Sequence, residues 1–363
     1  MRLRSISLKE VGLKEFKALL AKLISIPSPS GSESLLAHFI HGYLEGLGVQ
    51  VRLVETQGYG PSITAALNFS RKGKTLLFYG HLDTVEPSPG WRGNPYHPRF
   101  REGKVYGLGA CDMKAGLAGL LLAIQRLSGM EGLEGSVRLA LTSGEEKSVK
   151  GFEALKASGA FRNVDAAISA EPTGLRRLET GKLGKAVFKV EFKGENSPRE
   201  ASHFTLQLAE GFKVLAVETF STFNSKPDRC VVAVERSLVL GESLNKVFEE
   251  LEALALKAGR ARLSFFREAL PPVEAYRVEA GNPLVKALEE ACLKVLTFKP
   301  KLVMGEAGIE NLLALNCGIP TLVYGAEGGG MHGAEEYVYL DSGVKAANVY
   351  LEAAIKFLSF RSR

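Results

Sequence analysis

Five short apolar runs, each ending on a polar or charged side chain, constrain this chain more than any other feature. Run 75–80 leads to His81 and Asp83, run 105–111 to Asp112, and run 137–144 to Glu145 and Glu146. Run 166–170 leads to Glu171, and 321–325 continues through Gly328, Gly329 and Gly330 to His332. Apolar runs of this length bounded by glycine have the signature of buried strands. Between them the spacing turns helical. Phe16, Leu19, Leu20, Leu23 and Ile24 share one face, Ser32 opens a second helix running to about Leu44, and an Ala/Leu-rich helix covers 115–127. Strands alternating with helices predict an α/β fold, mainly a parallel sheet with helices on both faces. In such open sheets ligands bind beyond the carboxyl ends of the strands, so these dispersed polar groups can converge on one crevice.

Between about 180 and 280 the pattern changes. The stretch 185–192 alternates as a half-buried strand, 204–220 has helical spacing, 230–240 is a second strand and 242–258 a second helix. After Asn282 the α/β pattern returns, with a helix over 283–296 and a strand over 321–324. A chain of 363 residues exceeds the usual limit of one core, so the expected organisation is a catalytic domain in two parts, 1–178 and 282–363, interrupted by a smaller α+β domain at 179–281.

Composition excludes several classes. With 45% hydrophobic and 24% charged residues the chain is neither disordered nor fibrous, and no apolar run approaches a membrane span. The start of the sequence lacks the apolar stretch of a signal peptide, which points to the cytoplasm. Cys111, Cys230, Cys292 and Cys317 have no CxxC spacing, which argues against a disulfide framework and a thiolate zinc site. A net charge of +6 comes without a basic stripe interleaved with aromatics, so nucleic acid is not an expected partner. It suits acidic small substrates or an acidic protein instead.

The chemistry of the strand ends is more specific. Two imidazoles and several carboxylates without thiolate suit zinc, cobalt or manganese. A pair of such ions about 3.5–4 Å apart needs a shared carboxylate, and Asp112 is the natural candidate. His81 needs an acceptor for its second ring nitrogen, and Asp83, two residues on, points the same way along an extended segment. Of the adjacent Glu145 and Glu146, one can bind metal while the other carries a proton.

The stretches GHLDTV (80–85), VYGLGACDMKAG (105–116), TSGEEKS (142–148), SAEPTG (169–174) and GGGMHGAEEYV (328–338) resemble the co-catalytic metallo-aminoacylases and carboxypeptidases of the M20 peptidase type. That family includes acetylornithine deacetylase and succinyl-diaminopimelate desuccinylase. The resemblance implies two divalent ions, zinc first and cobalt as the alternative. It implies His81 and Glu171 on one ion, Glu146 and His332 on the other, Asp112 between them, Glu145 as general acid/base and Asp83 orienting His81. It also implies that the inserted domain is a lid carrying a homodimer contact. There Asn224 and Arg236 resemble a substrate-binding segment, Arg236 being suited to clamp a carboxylate; a surface strand arginine is the plainer alternative. Where relatives have a histidine after the first lid strand that helps bind the oxyanion, this chain has Asn196, with His203 further along: either Asn196 donates that substrate-binding hydrogen bond, or His203 takes the place, or the function is weakened.

The substrate implied is an acetylated, succinylated or carrier-linked amino acid of lysine or arginine biosynthesis, in the last case on a small acidic carrier protein. A metallocarboxypeptidase or dipeptidase is the alternative enzyme, and a catalytically silent scaffold the alternative of another class. His38, His41, His97 and Trp91 read as structural. Gly107 and Gly109 make only half a dinucleotide fingerprint, and Asp112 would repel a phosphate there.

Overall fold

The computed structural model describes residues 10–221, 226–266 and 271–359, and its contacts divide the chain into two compact units. The larger runs up to Gly181 and resumes over Val278–Val303 and from Cys317 onward. The smaller is Lys182–Arg277 together with Met304–Asn316.

The larger unit is built on a mixed sheet with a parallel centre. Thr75–His81 lies between Ser136–Thr142 and Ala166–Ser169, parallel to both, and Thr321–Val323 extends the parallel run beyond Ala166–Ser169. These central strands are buried on both faces, which is why they read as continuous apolar runs rather than as alternation. Two antiparallel strands, Ser62–Asn68 and Gln50–Val54, complete the edge beyond Ser136–Thr142. The first of these was not legible, because SITAALN is poor in the branched and aromatic residues that mark strands.

The helix Leu13–Ile24 buries Phe16, Leu20, Leu23 and Ile24. The helix Ala115–Ser128 is apolar nearly all round because it is enclosed on all sides, packing on Leu13–Ile24 and on the long Leu340–Ser359 helix. The second helix, Ser34–Glu45, starts at Glu33 rather than at the expected Ser32, with no side-chain cap. The Glu33 carboxylate is committed elsewhere, to the main chain of two other loops.

The smaller unit is an antiparallel four-stranded sheet in the order Phe212–Phe220, Arg229–Leu238, Gly184–Lys193, Ala261–Phe265. The helices Ser197–Leu206 and Leu244–Ala258 cover one face over a core that includes Phe188, Phe192 and Phe204. The reading of 204–220 as one helix is corrected here: the helix ends at Leu206, and Gly211, at φ +93°, turns the chain into a strand. Val214, Val217 and Thr219 then follow their strand preference. Asn224 lies outside the described residues. Among those described, no helix is long and apolar enough to cross a membrane.

Candidate metal centre

All seven residues singled out at the strand ends lie in the larger unit, and five of them form two groups that meet on Asp112. His81 closes the Thr75–His81 strand and is 2% exposed. Its Nε2 lies 3.1 Å from Asp112 Oδ1 and 3.5 Å from Glu171 Oε1. The other oxygen of Asp112, Oδ2, lies 3.2 Å from His332 Nε2, which in turn is 3.1 Å from Glu146 Oε2. One carboxylate thus gives each of its oxygens to a different histidine–carboxylate pair. Within each group the donor atoms all lie within 4.8 Å of one another.

The main chain around the pair is unusual where it has to be. Gly144, at φ +71°, leads into Glu145 and Glu146, and a Cβ there would sit 2.4 Å from the Tyr59 ring. Only glycine meets both demands. His332 itself takes a left-handed φ of +60°, which is uncommon for a side chain with a Cβ and is found where surrounding structure imposes it at functional sites.

The electrostatics show what the groups require. Three carboxylates, Asp112, Glu146 and Glu171, crowd two imidazoles. Burial works against a charge on His81, but Glu171, the hydrogen bond with Asp112 and the charge of Glu145 outweigh it and raise its pKa well above the ordinary value. Hydrogen bonds to Asp112 and Glu146 push His332 up to about 10, against partial burial. Burial would raise the Asp112 carboxyl, yet its bonds to His332 and His81 hold it below the usual carboxylate range. In this state two protonated rings supply the positive charge that the carboxylates demand. Two divalent cations on the same nitrogen and oxygen donors, with no thiolate, satisfy that demand better, so the residues fit a cation pair.

The role expected of the Asp83 side chain falls to its main chain. His81 Nδ1 meets the Asp83 carbonyl oxygen at 2.9 Å, while Asp83 Oδ1 stands 3.7 Å away. The carboxylate itself accepts the main-chain N–H groups of Glu145 and Glu146, each at 3.0 Å, and the Ser30 hydroxyl at 2.7 Å. Asp83 therefore fixes His81 through one group and the two glutamates through another.

Three buried charges close by were not anticipated in these roles. Glu336 accepts the amides of Gly109, Cys111 and Asp112, and Glu33 those of Gly31, Gly60 and Gly144. Burial pushes the Glu336 carboxyl up to about 7 despite its three N–H partners. Lys114 is buried and donates to the Ile26 carbonyl at 2.9 Å; burial lowers its pKa to about 7.

The candidates in the smaller unit are placed differently. Arg236 lies in the Arg229–Leu238 strand, where its guanidinium bonds Glu242 at 2.7 Å and sits over Phe212. Asn196 is exposed just before the Ser197–Leu206 helix, and His203, also exposed, pairs with Gln207 on that helix.

Residues 77–356 match the model of peptidase family M20/M25/M40. A succinyl-diaminopimelate desuccinylase from Wolinella succinogenes is 24% identical over 92% of this chain and 98% of its own length. Among solved structures, the aminopeptidase PepT from Bacillus cereus superposes with a TM-score of 0.80 at 20% identity, covering 96% of this chain and all of that one. The Bacillus subtilis YXEP protein, described as a dinuclear metal-binding peptidase, gives 0.78 at 17% identity over 95% of this chain and 98% of its own.

Proposed function

Because the chain belongs to peptidase family M20/M25/M40, we propose that it hydrolyses the amide of an N-acylated diamino acid, with an acetyl, succinyl or carrier-linked acyl group as the part removed. The observation that carries the reading is Asp112, whose two oxygens serve two separate histidine–carboxylate pairs at 3.1 and 3.2 Å. His81 and Glu171 would hold one divalent ion, Glu146 and His332 the other, and Asp112 both. Zinc is the first choice and cobalt the alternative. When bound, such a pair supplies a polarised carbonyl and an acidified water. The Glu145 carboxylate takes the proton from that water and delivers it to the departing amine nitrogen. Asp83 keeps Glu145 in place by accepting its main-chain N–H at 3.0 Å, and keeps His81 in one tautomer through its carbonyl.

The acyl-diamino-acid reading is supported by the full-length similarity to the Wolinella desuccinylase. A peptidase is the second reading, favoured by the likeness of the fold to the two peptidase structures. A carrier protein bearing the acyl group suits the net charge of +6. A panel of acetylornithine, succinyl-diaminopimelate, carrier-linked lysine and simple dipeptides, with zinc or cobalt added, separates them. The expected result is a kcat/KM for one acylated diamino acid at least about 100-fold above any dipeptide, because a site built to pair substrate charges rejects ligands that leave them unpaired. Preference for plain dipeptides replaces the deacylase reading with the peptidase one.

We also propose the smaller unit as the lid and the contact of a homodimer. Support comes from its edge strand Phe212–Phe220, exposed along nearly its whole length with Val214, Leu215 and Val217 uncovered. An open apolar edge of this kind invites pairing with a second copy. Sedimentation at micromolar concentration is expected to give twice the chain mass, and Val217→Lys to give the monomer. A monomeric wild-type protein removes the dimer from the proposal.

A further inference from the structure

We propose that Glu336 is the positioning residue of the shared carboxylate: its side chain, outside the ligand set, fixes the loop that aims Asp112 at both cation positions. The inference rests on the two-cation reading above.

Asp112 must present its two oxygens in two directions at once, so its main chain has to be held more tightly than that of a ligand serving one ion. The local backbone does not supply that rigidity. Asp112 sits at φ −112° and ψ 96°, outside helical geometry, just ahead of the Ala115–Ser128 helix. Its N–H therefore has no helical partner, and neither has that of Cys111. Both are donated to Glu336 Oε1, at 2.9 and 2.7 Å, while Oε2 accepts the N–H of Gly109 at 2.7 Å. The main-chain carbonyl of Glu336 also accepts the N–H of Gly107 at 3.1 Å. Four amides of one loop thus end on one residue, which is 1% exposed.

A carboxylate is the one side chain suited to this task. It offers acceptor positions on both oxygens and no donor that would face the convergent N–H groups. Gln keeps the shape but turns an NH₂ toward either Gly109 or the Cys111–Asp112 pair. At such a buried site one wrongly paired group is costly. Glu336 also follows His332 by four residues, so one short segment carries a donor of the second group and the clamp for the shared carboxylate.

Glu33 provides a matched comparison. It is equally buried and accepts three main-chain N–H groups, from Gly31, Gly60 and Gly144, none of them the amide of a proposed ligand. The amides of Glu145 and Glu146 are held separately by Asp83.

The test is a cobalt titration of metal-free protein, read by the visible absorption of the bound ions and by the magnetic coupling between them in electron paramagnetic resonance. The wild type is titrated first. Two equivalents with coupled spins uphold the two-cation reading, and failure there removes that reading before Glu336 is tested. Glu336→Gln is then expected to bind the ions roughly 10–100-fold more weakly, as when partners behind metal ligands are lost, and to lose most of the coupling. Glu33→Gln is expected to lower the unfolding temperature comparably while keeping affinity within about threefold and the coupling intact. If Glu336→Gln gives no folded protein, Glu336→Asp keeps the charge, withdraws it by one methylene and carries the same readings. Unchanged affinity and coupling in the folded Glu336 variant overturn the proposal, as does an equal loss in Glu33→Gln.

Discussion

Glu145→Gln is expected to leave the fold and metal content intact while lowering kcat by about 10²–10⁴-fold, the usual contribution of a positioned acid/base. Three features of the structure separate those two outcomes. The main-chain N–H of Glu145 is held by Asp83 at 3.0 Å, so the turn keeps its shape when only the side chain changes. Glu145 stands outside both groups of candidate metal donors. Its charge is also among those that raise His81, so removing it makes that ring easier to deprotonate, and metal binding, which needs the neutral ring, becomes no harder. The variant keeps a side chain of the same size that cannot accept a proton. Turnover, metal-to-protein ratio and thermal unfolding check the three claims together. Retained turnover in a metal-replete variant would remove Glu145 from the reaction.

What the sequence revealed and what it hid divide along a physical line. His81, Asp112, Glu146, Glu171 and His332 were legible because each follows an apolar run or a glycine turn, and buried parallel strands have to be apolar. Glu33 and Glu336 were not, because a carboxylate that works on main-chain amides needs no neighbour of a particular type and leaves no spacing behind. At the start of the second helix the sequence favours Ser32, a common capping residue, over Glu33, where the helix begins. The sequence points to Asp83 beside His81 but does not say which of its groups makes the contact, since sequence cannot separate a side-chain carboxylate from the carbonyl of the same residue. The stretch 204–220 misled because Phe204, Leu208 and Phe212 fall four apart, as on a helix. Gly211, with its left-handed turn, was the contrary signal.

Replacing Asp112 with Asn tests the centre itself, and the effect expected is the largest among the metal donors. In the metal-free wild type both His81 and His332 are drawn toward their protonated forms, since both pKa values are raised, that of His332 to about 10. Metal requires both rings neutral, so loading the wild type at pH 7.5 is expected to release about two protons, one per imidazole. Asp112→Asn removes the acceptor that both rings share, at 3.1 and 3.2 Å, and with it a charge that raises both. Glu171 still faces His81 and Glu146 still faces His332, so the rings fall toward their ordinary range without reaching it. Two consequences follow with opposite signs. The proton cost of binding metal decreases, which alone would favour uptake. The bridge between the two positions is lost and the amide turns an NH₂ toward one of them, which disfavours uptake far more. The expected result is at most one metal per chain, fewer than two protons released, and a kcat lower by more than about 10³-fold. Calorimetry in buffers of different ionisation enthalpy counts the protons, and elemental analysis counts the metal. Two equivalents bound with an unchanged proton count mean that Asp112 bridges nothing, and the pairing of the two groups through it has to be abandoned.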